Sequence, residues 1–199
     1  MEIRKLSREQ IQTVYHAYMV HDFDRNELRP LFSLLAGFDR GEYDCFGLYD
    51  EEKLCAYAYF VRLPSEEGGN ICLFDYLAVI PAQRGQGIGS RFLQALPAHL
   101  PDARLIVGEM EDPDVPCSGD ERAIREKRRH FYLKNGFLDT GVRSLVFGVD
   151  YALFEVPTGP SHSHDEIKKA YTSLYRSILA PLFFQTQFYL KDLSLDKKE

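Results

Sequence analysis

The stretch Leu73-Phe74-Asp75-Tyr76-Leu77-Ala78-Val79-Ile80-Pro81-Ala82-Gln83-Arg84-Gly85-Gln86-Gly87-Ile88-Gly89-Ser90 decides how this chain of 199 residues is read. It opens inside a near-continuous apolar run, Ile71–Val79, the pattern of a strand buried on both faces. Glycines follow at once, and a helix follows the glycines to about Leu100. Glycine lets the backbone turn sharply and leaves its amides uncovered. Amides at a helix N-terminus lack intrahelical acceptors and stand at the positive end of the dipole, so such a junction is a ready anion site. A merely tight strand-to-helix turn needs one glycine, whereas Gly85, Gly87 and Gly89 fall within five positions. A diphosphate-bearing ligand is the natural occupant.

Upstream, Met1–Leu6 reads as a short strand. Ser7-Arg8-Glu9-Gln10 has the form of a capping box, and Ile11, Val14, Tyr15 and Tyr18 follow at helical spacing. The first helix is therefore placed over Ser7 to Met19. A second runs from about Asn26 through Leu35, with Pro30 tolerated only in its first turn and Gly37 and Gly41 bracketing its exit. Tyr43–Tyr49 and Leu54–Leu63 form a β pair joined at Asp50-Glu51-Glu52, and Pro64–Asn70 is a further turn.

Downstream, Arg104–Met110 is a strand and Asp112–Gly119 a loop. Ser118-Gly119-Asp120-Glu121 caps a helix that stops at Asn135-Gly136. Val142–Val149 and Tyr151–Val156 complete the β elements. Thr158–His164 is a linker by composition, and Ser163-His164-Asp165-Glu166 offers another capping box. Ile167, Tyr171, Leu174, Tyr175, Ile178 and Leu182 then keep helical periodicity, so an amphipathic C-terminal helix is expected. The order of elements specifies a mixed α/β layer fold with one central crossover.

The identity of the diphosphate is narrowed by what is missing. A triphosphate loop needs Lys and then Ser or Thr after its last glycine, and no Lys follows here. A dinucleotide fingerprint gains support from Glu109, near the end of the next strand where a ribose-binding acid belongs. Against it, the third glycine comes one residue early, a hairpin precedes the strand, and no second βαβ half follows. An oxidoreductase is the weaker reading.

Arg84-x-x-Gly87-x-Gly89 after Leu77-Ala78-Val79 resembles the acetyl-CoA motif of the GNAT superfamily of acetyl-CoA-dependent N-acetyltransferases. Phe131-Tyr132-Leu133-Lys134-Asn135-Gly136-Phe137 resembles that superfamily's helix-ending Tyr and Gly-Phe element. One helix and one strand separate the two pieces, as they do there. The resemblance covers roughly 1–156. It implies a central, mostly antiparallel sheet with a splayed parallel strand pair, flanked by helices. On this basis 1–157 is expected to be the acetyltransferase domain, and 158–199 a linker and C-terminal helix packed on it or at a dimer interface.

The same resemblance implies roles. The main chain at Leu77, Ala78 and Val79 would pair with the acetyl and pantetheine portion of acetyl-CoA, the acetyl-donor cosubstrate. The amides of Arg84, Gly85, Gln86, Gly87, Ile88, Gly89 and Ser90 would hold its pyrophosphate. Tyr132 is the candidate general acid toward the departing thiolate, with a core aromatic beside Phe131 as the plain alternative. Glu109 matches the position where members acting on protein N-termini carry their base. Glu111, two residues on and on the same strand face, and Asp75 on the preceding strand are its rivals. The insertion Asp112–Arg122 departs from the commoner pattern, and the Asn that many members use there to contact CoA has no counterpart. Transfer by direct attack of a primary amine in a ternary complex follows, without a covalent step at Cys117. A CoA-binding module without catalysis is the second reading.

Composition sets the outer limits. Hydrophobic residues make up 45% and charged residues 27%, which excludes a disordered chain, and a net charge of −6 argues against nucleic-acid binding. The apolar run Ile178–Phe184 is too short for a bilayer and carries Pro181. Met1–Ser7 alternates like a strand instead of forming a signal core, so a cytoplasmic protein is expected. Cys45, Cys55, Cys72 and Cys117 show no metal spacing, and reduced thiols fit that setting. His162 and His164 resemble a metal pair but sit in the polar linker. The expected partners are acetyl-CoA and an amine acceptor, with a homodimer through the C-terminal stripe possible and no metal.

Overall fold

The structure, a computed structural model, describes residues Met1–Lys191. Positions 192–199 of the expected C-terminal appendage lie outside the described residues. The chain forms two compact units: Met1–Leu63 with Phe74–Asp102, and Pro64–Leu73 with the chain from Ala103 onward.

In the first unit, strand β1 (Glu2–Lys5) is stopped by the cap of helix α1 (Arg8–Val14). The Ser7 hydroxyl accepts from the Gln10 amide, and the Gln10 side chain accepts from the Ser7 amide at 2.8 Å. This is the capping box legible in the sequence. The helix continues through one π-helical stretch, Tyr15–Met19, into the short α2 (Val20–Asp22), and buries Ile11, Val14 and Met19.

Helix α3 occupies Leu31–Asp39, later than the expected Asn26–Leu35. Two causes act together. Pro30 pushes the residue before it away from helical dihedrals. The segment ahead is also held as a loop, because the Arg29 amide donates to the Tyr76 hydroxyl at 2.9 Å and that hydroxyl donates to the Glu27 carbonyl at 2.8 Å. Gly37 consequently lies inside the helix. A Cβ there would stand 2.8 Å from the Tyr43 ring, so the glycine serves close packing and not the exit.

Strands β2 (Tyr43–Asp50) and β3 (Lys53–Pro64) form the expected hairpin, and β4 (Asn70–Val79) follows. The first unit's strands run in the order β1-β2-β3-β4, with β1, β2 and β3 antiparallel to one another in turn. Nearly all of β2 and the middle of β3 are buried, which explains the unbroken apolar runs in their sequences. Helix α4 (Ile88–Ala95) and a 3-10 turn, Leu96–His99, close the unit.

The second unit contains β5 (Ala103–Glu111), α5 (Gly119–Lys134), β6 (Leu138–Val146), β7 (Val149–Val156), α6 (His164–Ile178), α7 (Pro181–Gln187) and β8 (Phe188–Lys191). Its strands lie in the order β5-β7-β6-β8 and are all antiparallel. Helices α5 and α6 open on the predicted capping boxes, Ser118 with Glu121 and Ser163 with Glu166.

Three features differ from expectation. β6 begins four residues early and carries a register irregularity between Asp139 and Arg143. The β6–β7 reversal falls at Phe147 (φ 48°) and Gly148 (φ 81°), inside the segment read as strand. Two left-handed residues in succession make the tight hairpin loop whose twist matches the flanking strands. The C-terminal stripe also breaks, because Leu179 is extended and Pro181 starts α7, after which β8 joins the sheet edge beside β6. Ile167, Tyr171, Leu174 and Tyr175 are buried within their own unit.

The fold is thus the mixed α/β class expected, with antiparallel strands and flanking helices in each unit and an additional C-terminal helix in the second. All four cysteines are free thiols. Among the described residues no helix is long and apolar enough to cross a membrane.

Candidate active site

The glycine loop is exposed and backbone-shaped. Ile80 donates its amide to the Cys55 carbonyl at 2.9 Å, which ends strand pairing, and a 3-10 turn at Pro81–Gln83 leads into the loop. Gly85 (φ +80°) and Gly87 (φ +72°) are left-handed, and a Cβ on either would meet nothing within 4 Å. The glycines are therefore required by conformation and leave open space above the backbone. Gly87 is also the N-cap of α4, and no side chain caps that helix. The contrast with α1, α5 and α6, each closed by a serine box, is informative. The first-turn amides of α4 lack intrahelical acceptors and stand at the positive end of its dipole.

Arg84 behaves differently from the rest of the loop. Its amide donates to the Pro81 carbonyl at 3.2 Å. Its guanidinium donates to the Val79 carbonyl at 2.9 Å and to Asp22 at 2.7 Å. Asp22 is almost buried and also accepts from the Tyr57 hydroxyl at 2.8 Å. Arg84 thus pins the loop to the end of β4 and to α2, a fixing role that spacing alone did not reveal.

Asp75, one of three candidate bases, is committed elsewhere. It forms an ion pair with Arg29 at 3.1 Å and accepts from the Tyr43 hydroxyl at 2.7 Å, with its own side chain nearly buried. Burial first, and then the Asp75 charge, push the Tyr43 phenol well above its ordinary value, so it remains a donor. The cluster ties the 26–30 loop to β4.

In the second unit, Glu109 and Glu111 share a strand face by alternation but have different partners. Glu111 is bridged by Arg125 at 3.3 Å and Arg128 at 2.6 Å. Glu109 accepts on its Oε1 from the hydroxyls of Tyr171 and of Tyr175, the latter at 2.6 Å. The Tyr171 hydroxyl also meets the Ser144 hydroxyl at 2.9 Å. Burial first, and then the Glu109 charge, raise the Tyr171 phenol well above its ordinary value. Tyr171 and Tyr175, expected only as members of the amphipathic stripe, are buried and direct their hydroxyls at Glu109.

Tyr132 is half-buried near the end of α5. Its ring stacks on Phe154 (centroids 4.4 Å apart) and on Phe137 (5.7 Å). Phe154 pairs across the strands with Gly108, and a Cβ on Gly108 would stand 2.1 Å from its ring. Phe154 and Tyr132 therefore lie on the Gly108 face of β5. Successive strand residues point to opposite faces, so Glu109 projects to the other side, where α6 meets it. The two candidate catalytic side chains approach β5 from opposite faces. Only the i, i+4 spacing of Tyr171 and Tyr175 hinted that they act together.

Other candidates have local roles. His162 contacts the buried Glu155 at 2.6 Å and tethers the linker to β7. Arg129 pairs with Asp139 at 3.3 Å, so the basic residues of α5 are in part structural.

Residues 41–138 match the model of the acetyltransferase (GNAT) domain, a span that holds the glycine loop, Glu109 and Tyr132. No curated protein matches the chain in sequence. Among solved structures, a Bacteroides thetaiotaomicron protein described as a GNAT-family acetyltransferase aligns with a TM-score of 0.64 at 19% identity, covering 92% of this chain and 99% of its own. An aminoglycoside 6′-N-acetyltransferase complexed with coenzyme A aligns at 0.57 and 14% identity, covering 82% of this chain and 100% of its own. A ribosomal-protein alanine N-acetyltransferase from Escherichia coli aligns at 0.55 and 18%, covering 82% and 97%. At these identities the likeness speaks for the fold. With the glycine loop, the family match leads to one conclusion: residues 41–138 are similar to the acetyltransferase (GNAT) domain, on a fold shared with GNAT-family acetyltransferases.

Proposed function

We propose that this chain transfers an acetyl group from acetyl-CoA to a primary amine by direct attack in a ternary complex. The observation that carries the reading is the N-terminus of α4, left without a side-chain cap behind two left-handed, open-faced glycines. Its amides from Gly85 through Ser90 are the donors for the pyrophosphate. Arg84 fixes the loop, with its own amide turned to Pro81. The main chain at Leu77, Ala78 and Val79 serves the pantetheine arm.

Glu109 takes the proton of the acceptor ammonium, the amine lone pair attacks the thioester carbonyl, and the carbon–sulfur bond breaks. Tyr132 gives its proton to the departing thiolate. A phenol near pKa ~10 is matched to a thiol near ~8.5. Glu109 is favoured over its rivals because Asp75 and Glu111 are engaged by guanidinium groups, while two phenols meet Glu109.

Thermal-shift measurements with CoA, acetyl-CoA and NAD, followed by thiol release over a panel of amines, test the reading. Stabilisation by both CoA ligands, and thiol release that depends on the amine, are expected. Stabilisation by NAD alone would return the loop to dinucleotide binding. CoA binding without thiol release for any amine would leave a binding module.

A further inference from the structure

Helix α6 lies outside the 41–138 span of the acetyltransferase domain match, yet it supplies two hydroxyls to Glu109. We infer that Tyr171 and Tyr175 are positioning residues for acetyl transfer, holding the Glu109 carboxylate in the orientation in which it takes the acceptor's proton. The inference rests on the role proposed for Glu109 above.

Both rings are themselves fixed. They pack edge to face on each other with centroids 4.9 Å apart, and each lies against Phe188 of β8, at 5.3 Å from Tyr171 and 5.0 Å from Tyr175. Tyr171 is fully buried and Tyr175 nearly so. The single proton of the Tyr171 phenol goes to Glu109, so Ser144 donates in turn to the Tyr171 oxygen at 2.9 Å. This makes an ordered chain from Ser144 through Tyr171 to Glu109, with Tyr175 joining on the same carboxylate oxygen.

Packing alone does not ask for these hydroxyls. Phenylalanine would fill the same space, and a buried hydroxyl is a liability unless it is satisfied. Two tyrosines one helical turn apart and converging on one oxygen are an orienting device. A glutamate side chain has several rotamers, and two fixed donors select one. Orientation of a reacting group is worth large rate factors, and small displacements are costly. The α6 addition thereby makes a C-terminal element part of the reaction geometry.

The test is a mutant cycle on the full chain, read as thiol release with the best amine. Glu109→Gln keeps an oxygen that accepts from both phenols while removing the base, and kcat should fall on the order of 10²-fold or more. Tyr171→Phe and Tyr175→Phe should each lower kcat roughly 10-fold with the KM for acetyl-CoA unchanged. In the Glu109→Gln background the same tyrosine changes should cost nothing further, because their effect passes through Glu109. Thermal midpoints verify folding, and if Tyr171→Phe does not fold, the Tyr175→Phe cycle carries the result.

Equal losses from Tyr175→Phe in both backgrounds would overturn the inference, as would a rise in acetyl-CoA KM with kcat intact. Either result marks the tyrosines as structural while Glu109 stays the base. Full activity of Glu109→Gln would remove the base assignment itself, and this inference with it.

Discussion

The ring of Phe154 occupies the space that a side chain at Gly108 would need, with the nearest ring carbon 2.1 Å from the position of a Cβ there. The same ring is the platform on which Tyr132 stacks at 4.4 Å, with Phe137 alongside at 5.3 Å. A glycine in β5 thus sets how closely the candidate acid of α5 lies over the sheet. That link runs from one missing Cβ, through aromatic packing, to the height of a hydroxyl.

Gly108→Ala should therefore destabilise the protein by about 1–3 kcal/mol, the usual cost of overpacking a tight core. Urea unfolding of the parent and the variant gives the difference. Phe154→Leu in the same chain should recover part of the loss, since a smaller side chain frees the contested space. A tolerated alanine with an unchanged midpoint would mean that the ring has room to retreat.

Gly87→Val should weaken acetyl-CoA binding at least 10-fold while the protein stays folded. Gly87 sits at φ +72° with open space above it, so the cost to the fold is backbone strain, about 1–2 kcal/mol for a side chain in the left-handed region. The cost to binding is larger, because the isopropyl group covers amides that the pyrophosphate must reach. Titration calorimetry alongside circular dichroism separates the two effects. Parent-like affinity in a folded variant places the pyrophosphate elsewhere.

Tyr132→Phe should lower kcat on the order of 10²-fold and leave CoA affinity intact. The ring contacts with Phe137 and Phe154 survive the change, so only the hydroxyl is lost. Steady-state thiol release with a saturating amine measures it. An unchanged rate would return Tyr132 to the aromatic core.

The parts of this fold that were legible in the sequence are those written in neighbouring residues. Ser7 with Gln10, Ser118 with Glu121 and Ser163 with Glu166 each place a helix start within three positions, and each box forms. The glycine loop is local in the same sense: Gly85 and Gly87 are left-handed, while Gly89 already lies in the first turn of α4. What escaped reading is long-range. Tyr171 meets Glu109 across 62 positions of chain, and Phe154 meets Gly108 across a strand pair. Neither leaves a trace in helical or strand periodicity, which reports that a face is buried and not what buries it. The early placement of the second helix has a related cause, since the hydroxyl of Tyr76, far along the chain, holds the Glu27–Arg29 loop.

The charged cluster behind β6 should make stability fall in acid. Burial pushes the Asp139 carboxyl upward, but Arg143, the Gly141 amide and Arg129 outweigh it and hold the group below its ordinary value. A depressed carboxyl contributes stability that is present above its unfolded pKa of about 3.9 and is lost as pH falls through the folded value. Asp139→Asn should therefore cost about 1–3 kcal/mol at pH 7 and less near pH 3. Urea midpoints at the two pH values decide it, and an equal gap at both would show that the charge of Asp139 contributes little.

Truncation after Pro157 should abolish a stable second unit. It removes α6, whose Ile167, Tyr171 and Leu174 are fully buried and whose Tyr175 is nearly so. Burying such side chains is worth roughly 1.5–3 kcal/mol each. Their sum is comparable to the roughly 5–15 kcal/mol that holds an entire domain. The truncation also strips the phenols from Glu109 and Ser144 and leaves both groups to water. A substitution confined to α7, such as Leu182→Ser, should cost under about 0.5 kcal/mol, because Leu182 is 69% exposed. The expected pattern is a truncated chain that aggregates or melts without cooperativity beside a point variant that melts like the parent. A soluble truncated protein with an unchanged midpoint would show that the core closes without α6, and the burial seen for its stripe would then count for little in stability.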